Sequence, residues 1–492
     1  MTERNNAFLR KAEELEPMLH TREIAVSGGE RVLKKGDSLC LDFGEHLVGT
    51  VTLRLSSRGS HPDAPLWLRL KFAERMSELK ENVEDYHGWI SASWVQQEQI
   101  HVDELPCELR LPRRYAFRYV QLEVLDISTK YDLIVGGAVC EAVSSADDAA
   151  LPPYESADAE LREIDRVACR TLHDCMQEVF EDGPKRDRRL WIGDLRLQAL
   201  ANYETYRQND LVKRCLYLFA GSTLPGGRVG AGMFIRPEIE ADDTAMFDYS
   251  LFFIPTLWDY YEATDDVETL RELWPTAWRQ IELAREGFDE NGLVRDSDVL
   301  GWCFLDWNLE LNKQAGAQGV YLYCLKTAGK IAAALNDGEK ASLIEEEYAK
   351  KKQAALDSLY DPALGLFVSG EKRQLSWASQ IWMVLGGTAG GDVLDRIAAR
   401  DDAVGMVTPY LHHHYVQALI DVGQREKALE VLRSYWGGMV KLGADTFWEL
   451  YNPANPDESP YGGTIVNSYC HAWSCAPAYF LRKYYNKGLS RH

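Results

Sequence analysis

The sequence predicts a chain in two parts, an antiparallel β-sandwich over residues 1–152 with a short leading segment, then a helical domain over residues 153–492. Three observations carry this reading. Apolar residues recur at every second position in the first part and at every third or fourth in the second. Leu151-Pro152-Pro153 separates the two regimes, because prolines cannot extend a strand ladder. At 492 residues the chain is too long for one ordinary core and suits one large domain beside a smaller one.

In the first part, Leu39, Leu41 and Phe43, then Val51, Leu53 and Leu55, then Leu68, Leu70 and Phe72 alternate with other residues. Phe117 to Leu125 and Tyr131 to Val143 continue the pattern. Such runs, bounded by Gly, Pro and Ser, mark strands with one buried face. In the second part, Leu161, Ile164, Val167, Ala168, Leu172, Cys175, Met176 and Val179 form one helical stripe that runs straight into an acidic loop. Ser156 is its expected N-cap, with Asp158 and Glu160 in the first turn. Further helices are expected at Leu195 to Tyr206, Ala328 to Leu335, Ser342 to Leu359 and Glu426 to Leu442. Two connections look alike: Phe288-Asp289 ahead of Gly292-Leu293-Val294, and Tyr360-Asp361 ahead of Gly365-Leu366-Phe367-Val368. Each sets an aromatic and an Asp before a Gly-Leu turn into a short apolar strand, which implies repeated helical hairpins with small β-insertions on one side.

Charge and composition narrow the function. A formal net charge of −22 opposes binding to nucleic-acid backbones or anionic membranes and disfavours polyanionic substrates. There is no apolar run of roughly 18 residues, and Met1 to Pro17 is polar, so a cytoplasmic protein without membrane contact is expected. Ten cysteines occur without a Cys-x-x-Cys spacing and read as reduced core residues. His412-His413-His414 falls in an expected helix, where adjacent side chains point about 100° apart and cannot share an ion, so no metal site is expected.

The chemistry concentrates in Glu181 to Asp194, EDGPKRDRRLWIGD, which holds four carboxylates, four cations and a tryptophan. A loop of this kind can hold carboxylates in a pocket, and the plain alternative is a polar connection tied by Arg and Asp ion pairs. The stretch resembles the catalytic signature of the α-L-rhamnosidases of glycoside hydrolase family 78. Trp191, Gly193 and Asp194 fall on the family's Trp and Gly-Asp, Arg188 on its second Arg, and Asp187 on the Glu that acts as general acid. Counted from Asp182 and Pro184 the register is one residue short, which implies a one-residue deletion and a Glu-to-Asp exchange, as in shorter bacterial members. Thr446-Phe447-Trp448-Glu449 resembles the family's Thr-x-Trp-Glu, whose Glu is the general base. Asn467 to Ser474 resembles its Asn-Ser-x-x-His segment, and Gly301 to Trp307 an aromatic-Asp-Trp segment lining the sugar pocket. Asp42-Phe43-Gly44 followed by Val48-Gly49-Thr50-Val51 is similar to the family's N-terminal sandwich.

The resemblance implies an (α/α)6 toroid whose loops form a pocket at one end. It also implies an inverting, exo-acting hydrolase that releases terminal α-L-rhamnose from small glycosides or oligosaccharides without a cofactor. Inversion requires a protonated carboxyl and an ionised carboxylate roughly 6.5–9.5 Å apart. Asp187 and Glu449 take those roles by family position, and only closure of a ring could pair residues 262 positions apart. Asp182, Asp194 and Asp306 fall on positions that hold sugar hydroxyls, with helix capping or Arg pairing as their plain role. Arg186 and Asp248 join the expected substrate contacts. Trp191, Trp302, Trp307 and Trp448 offer apolar faces to a deoxy sugar or else belong to the core. His471 orients Glu449, binds a hydroxyl or is a satisfied core histidine. For Asp187 to act as an acid, Arg186 and Arg188 should turn away from it or pair with Asp182 and Asp194. Two alternatives stand: a hydrolase of another neutral or unsaturated uronic sugar, using Lys185, Arg186, Arg188 and Arg189, and a catalytically silent carbohydrate-binding protein. A homodimer is compatible with the sequence.

Overall fold

The computed structural model describes residues 3–296 and 302–486, so Gly301 of the aromatic segment lies outside the described residues. A leading helix, α1 (Glu3–Glu14), buries Phe8 and Ala12. Seven antiparallel strands follow: β1 (His20–Leu33), β2 (Ser38–Gly59), β3 (Leu66–Ala73), β4 (Gln97–Val102), β5 (Cys107–Arg110), β6 (Tyr115–Asp126) and β7 (Tyr131–Ser144). Their order is β1-β7-β2-β6-β3-β4, with β5 beside β2.

The long strand β2 organises this domain. Its first half, Ser38 to Gly49, pairs with β6, and its second half, Gly49 to Gly59, pairs with β7. A register shift between Asp42 and Leu47 lies within the half paired to β6, where a bulge bends a strand. The antiparallel β-domain is thus one continuous hydrogen-bonded sheet that shares the long strand β2 between two sets of partners. Leu39, Leu41, Phe43, Val51, Leu53, Leu55, Leu68, Leu70 and Phe72 all enter its single core.

The second part opens with α2 (Ala159–Cys175), capped by Asp158, whose carboxylate accepts the Glu160 and Leu161 N–H groups at 2.9 and 3.3 Å. Ser156 lies two residues too early to cap, and its hydroxyl accepts the Asp158 N–H instead. The helix stops at Cys175, and a Met176–Phe180 bridge, not further helix, leads into the acidic loop.

Helices then alternate between an outer and an inner ring: α3 (Ile192–Glu204), α4 (Asn209–Gly221), α5 (Phe247–Thr264), α6 (Val267–Ala284), α7 (Gln314–Ala334), α8 (Gly338–Ser358), α9 (Trp377–Leu385), α10 (Asp392–Ala398) and α11 (Pro409–Asp421). The outer helix α12 (Arg425–Val431) passes through a π turn, Leu432–Trp436, into α13 (Gly437–Lys441), and α14 (Ala476–Tyr484) ends the described chain. Helices α3, α5, α7, α9 and α11 pack against one another in turn, and α14 returns to α3 to close the ring. Inner helices such as α5 and α9 are buried on nearly every side, whereas α8 buries only Ile344 and Ala355. The two similar connections form as expected. Asp289 and Asp361 each turn a carboxylate oxygen onto the N–H groups that follow, and the short pairs Phe288–Val294 and Tyr360–Asp361 with Leu366–Phe367 close them.

Two expectations about single residue types are refined. Eight cysteines are buried, but Cys40 is exposed and Cys107 is intermediate, and all ten are free thiols. The three adjacent histidines are buried separately in α11, where His412 and His414 each give an Nδ1–H to the carbonyl four residues back.

Candidate active site

The loops at one end of the ring surround a cavity of about 800 Å³. Its floor begins with the acidic loop. The Asp182 N–H donates to the Arg189 carbonyl at 2.9 Å, and the Arg189 N–H returns to Asp182 Oδ1 at 3.0 Å, which folds residues 183–188 into a tight excursion. At its tip Asp187 and Arg188 take φ of 61° and 53°, the left-handed region that non-glycine residues enter at a cost. The chain leaves through β8 (Leu190–Trp191), paired with β9 (Gly232–Phe234), and enters α3 with Asp194 in its first turn. Gly193 is required here, since a Cβ would fall 2.5 Å from the Tyr249 ring.

The opposite wall comes from two segments that lie side by side. Glu449 N–H donates to the Ser468 carbonyl at 3.0 Å, the His471 N–H to the Phe447 carbonyl at 2.9 Å, and the Thr446 hydroxyl to the Tyr469 carbonyl at 2.8 Å. The Ala472 N–H reaches the Asp182 carbonyl at 2.7 Å, tying this wall to the acidic loop.

One guanidinium joins the two walls. Arg186 donates to Glu449 Oε2 and, through Nε, to the Val466 carbonyl at 2.9 Å, while its Nη1 lies 3.5 Å from Asp187 Oδ2. The Tyr461 hydroxyl donates to Glu449 Oε1, and the Arg186 guanidinium lies 4.2 Å above the Tyr461 ring. Asp187 and Glu449 are thus separated by no more than one guanidinium and its two contacts. Arg188 turns away and donates to the Arg114 carbonyl at 3.0 Å. Arg186 departs from the expectation on both counts, since it neither turns away from Asp187, with which it keeps its 3.5 Å contact, nor pairs with Asp182 or Asp194; it clasps Glu449.

Burial pushes the Glu449 carboxyl above the ordinary range, against the pull of Arg186 and of the Tyr461 hydrogen bond. Burial also drives Asp182 and Asp194 well above theirs, reinforced for Asp182 by Asp187 and for Asp194 by Glu449. Burial, then Arg186, keeps His471 neutral. Its Nδ1 lies 3.7 Å from Asp194 Oδ1, and neither atom has a hydrogen-bond partner. Arg189 Nε, Trp191 Nε1 and Trp307 Nε1 are likewise unpaired on the cavity wall. These atoms give the cavity wall polar groups able to meet the hydroxyls of a ligand.

Asp182, Arg186, Asp187, Trp191, Asp194, Trp302, Asp306, Trp307, Glu449 and His471 all line the cavity. Two expected contacts do not. Asp248 is fully buried in α5, where its carboxylate accepts the Phe304 and Leu305 N–H groups at 3.0 Å and so anchors the segment bearing Asp306. Trp448 is buried beneath the Arg75 guanidinium at 4.5 Å and packs on Tyr451 and Tyr469. Asp306 reaches the wall, but its oxygens accept from the N–H groups of Val407 and Thr408 and from the Thr408 hydroxyl, and burial raises its pKa to about 6. Sequence reasoning missed Tyr461, Tyr249, Phe304 and Trp473, and the contribution of the β-domain through Trp89, Ile90, Ser91 and Trp94. The signal for the last group was a Trp-Ile pair in an otherwise polar stretch of turns.

A helical ring with facing carboxylates and unmatched polar atoms at the mouth of its inner helices is the pocket of a six-hairpin glycosidase. The chain belongs to glycosyl hydrolase family 78: residues 17–142 match the family's alpha-rhamnosidase N-terminal domain, and residues 153–485 match the bacterial alpha-L-rhamnosidase 6 hairpin glycosidase domain. It is similar to a rhamnosidase from Klebsiella oxytoca solved with rhamnose bound, at 48% identity, covering 97% of this chain and 98% of that one, with a TM-score of 0.94. The fold is shared with the family 78 rhamnosidase of Bacillus sp. GL1, at 23% identity over 92% of this chain and 47% of that one, TM-score 0.77. It is also shared with the Streptomyces avermitilis α-L-rhamnosidase complexed with L-rhamnose, at 17% identity over 95% and 44%, TM-score 0.68. No curated protein sequence matches the chain.

Proposed function

We propose that this family 78 hydrolase is an inverting, exo-acting α-L-rhamnosidase that releases terminal α-L-rhamnose from small glycosides or oligosaccharides. The observation that carries the reading is the single Arg186 guanidinium touching both Asp187 and Glu449, which places two carboxyl groups on facing walls of one cavity, the pairing that inversion requires. Glu449, whose ionised form Arg186 and Tyr461 stabilise against the opposing effect of burial, takes a proton from water as the water oxygen bonds to the anomeric carbon. The glycosidic C–O bond breaks on the other face, and Asp187 gives its proton to the leaving oxygen. Asp187 is 26% exposed and Glu449 6%, so the acid lies on the solvent side, where a leaving group can depart and the sugar alone occupies the floor. Asp182, Asp194 and His471 receive the ring hydroxyls.

The cationic requirement of a uronic sugar is poorly met. Lys185 pairs with Glu78, Arg186 with Glu449 and Arg189 with Asp242, and Arg188 faces backbone carbonyls. A reducing, cytoplasmic setting fits the ten free thiols, and among the described residues no helix is long and apolar enough to cross a membrane. A panel of chromogenic glycosides tests the proposal: α-L-rhamnoside should be hydrolysed and an unsaturated glucuronide should not. Hydrolysis of the glucuronide alone, or of neither, would overturn it.

A further inference from the structure

A second cavity, of about 500 Å³, opens where the two domains meet, and it shares no lining residue with the active site. Four parts of the chain converge on it: β2 and β6 through Glu45 and Arg118, the linker between the domains through Tyr154, helices α2 and α14 through Arg170 and Arg482, and Asp445, four residues ahead of Glu449. Its volume falls within the range of small-molecule sites, about 300–1,000 Å³.

Five arginines line this cavity, yet it is not a positive well. Arg118 makes a two-pronged pair with Asp42 at 2.8 and 3.1 Å, Arg166 with Glu163 at 2.9 and 2.7 Å, and Arg482 with Asp165 at 2.7 and 2.8 Å. Arg170 pairs with Glu45 and, at 3.3 Å, with Asp174, while Arg162 donates to the Ser156 carbonyl. Four of the five guanidinium groups are thus neutralised, and the carboxylates of Glu45, Asp148, Asp165 and Asp445 stand on the same wall. A phosphate or sulfate would meet repulsion as well as attraction there. What the paired wall does offer is a dense set of donors and acceptors that hold one another in place.

Two polar groups on this wall have capacity to spare. The Tyr154 hydroxyl makes no hydrogen bond although the residue is only 9% exposed, and Asp445 Oδ2, 3.5 Å from Arg118 Nη1, accepts none. A ligand hydroxyl can serve either group, since it both donates and accepts. The linker adds Leu151, Pro152, Pro153 and the Tyr154 ring, an apolar surface for the C–H face of a saturated ring.

We infer that the domain junction holds a second, non-catalytic site for a neutral saccharide, bound between the domains by Tyr154, Arg162, Asp445 and the paired arginines around them. A neutral sugar carries hydroxyls along its edge and C–H groups on its face, which is the division this wall presents. The site is independent of the rhamnosidase reading, because neither its wall nor its test depends on turnover.

Hydrogen–deuterium exchange read by mass spectrometry locates the ligand. The full chain is incubated with L-rhamnose, D-glucose, maltose or inorganic phosphate at matched ionic strength. At least one neutral sugar should slow exchange across residues 148–170 and 441–446, around the junction, while residues 182–194 report separately on the active site. Phosphate should leave the junction peptides unchanged. Tyr154→Phe removes one hydroxyl and keeps the ring, and Arg162→Ala removes an exposed guanidinium whose hydrogen bond is to a backbone carbonyl. Each should weaken the apparent affinity at the junction by roughly threefold to tenfold, the loss of one hydrogen bond, and leave residues 182–194 as in the wild type. Thermal denaturation of the free variants controls for folding, and Arg162→Ala decides the question if Tyr154→Phe unfolds. Junction peptides that no neutral sugar protects, protection by phosphate instead, or protection retained at wild-type affinity in the folded variants overturns the site.

Discussion

Tyr461→Phe isolates one hydrogen bond in the site. The Tyr461 ring is fixed by Trp89, Trp307 and the Arg186 guanidinium, and phenylalanine keeps those contacts while removing only the donor to Glu449 Oε1. A hydrogen bond to a charged group contributes about 1.5–3 kcal/mol, and each pH unit corresponds to about 1.4 kcal/mol. The hydroxyl stabilises the ionised form of Glu449, so its loss raises a carboxyl pKa that burial already holds above the usual value. The acidic limb of kcat/KM therefore moves to higher pH, by about one unit given that Arg186 still holds the other oxygen. Near the wild-type limb, activity falls about tenfold and recovers as the pH is raised. A pH profile on a chromogenic rhamnoside reads both effects, with thermal denaturation as a control for folding. An acidic limb that does not move, or a loss equal at every pH, would refute the claim that this hydroxyl holds the base ionised.

Glu449→Gln and Asp187→Asn should each lower turnover by roughly 10²–10⁴-fold with the fold preserved, measured against free-rhamnose binding to the same variants. Proton NMR of the first-formed sugar should reveal the inverted anomer, and early release of the retained one would point to a covalent intermediate. His46, at the domain junction, contacts Asp174 at 2.7 Å and Glu74 at 3.0 Å. Burial opposes its protonation, but the Cys470 sulfur and those two carboxylates prevail and hold its pKa well above 6.5. Its stabilising contribution is complete below pH about 6.5 and is lost as the pH rises through the folded-state value, so thermal stability should decline on that side and His46→Gln should flatten the decline.

What the sequence made legible follows from how many sides of each element are buried. The strands of the β-domain have one face in the core, so Leu39, Leu41 and Phe43 announce themselves by alternation. The inner helices α5, α7 and α9 are buried all round, which erases the amphipathic period, and only the end of α7, from Ala328, was readable. In the pocket, motif resemblance brought Asp187 and Glu449 together, but proximity in sequence misassigned Trp448. Neighbours in non-helical backbone point to different sides, so Glu449 faces the cavity while Trp448 enters the core under Arg75. Asp248 was misread because a carboxylate that caps two backbone N–H groups looks, as a letter, like one that binds a hydroxyl. Tyr461 left no signal at all, being one aromatic in a Pro-Tyr-Gly-Gly turn.

That turn also explains why the active site needs the β-domain. The segment between β3 and β4 reaches across the junction and grips the chain from Asp457 to Tyr469. Arg75 pairs with Asp457 at 2.9 Å, Glu81 accepts the Thr464 hydroxyl and the Ile465 N–H, and the Tyr86 hydroxyl and Trp89 indole donate to the carbonyls of Tyr461 and Pro460. Beneath them, Glu78 holds Lys185 and Glu74 accepts the Tyr469 N–H at 2.6 Å, so the acidic loop and the base-bearing wall are tied to the same short stretch of strand and turns. The fit is close enough that a Cβ on Gly88 would lie 1.8 Å from the Tyr461 carbonyl oxygen. An isolated carboxylate at Glu449 would sit at the end of a long loop; here its orientation is set by Arg186 from the acidic loop and by Tyr461 from a turn that the β-domain holds in place. The β-domain therefore acts on the chemistry from outside the catalytic pair, because it fixes the two donors that decide where the base points and how its charge is held.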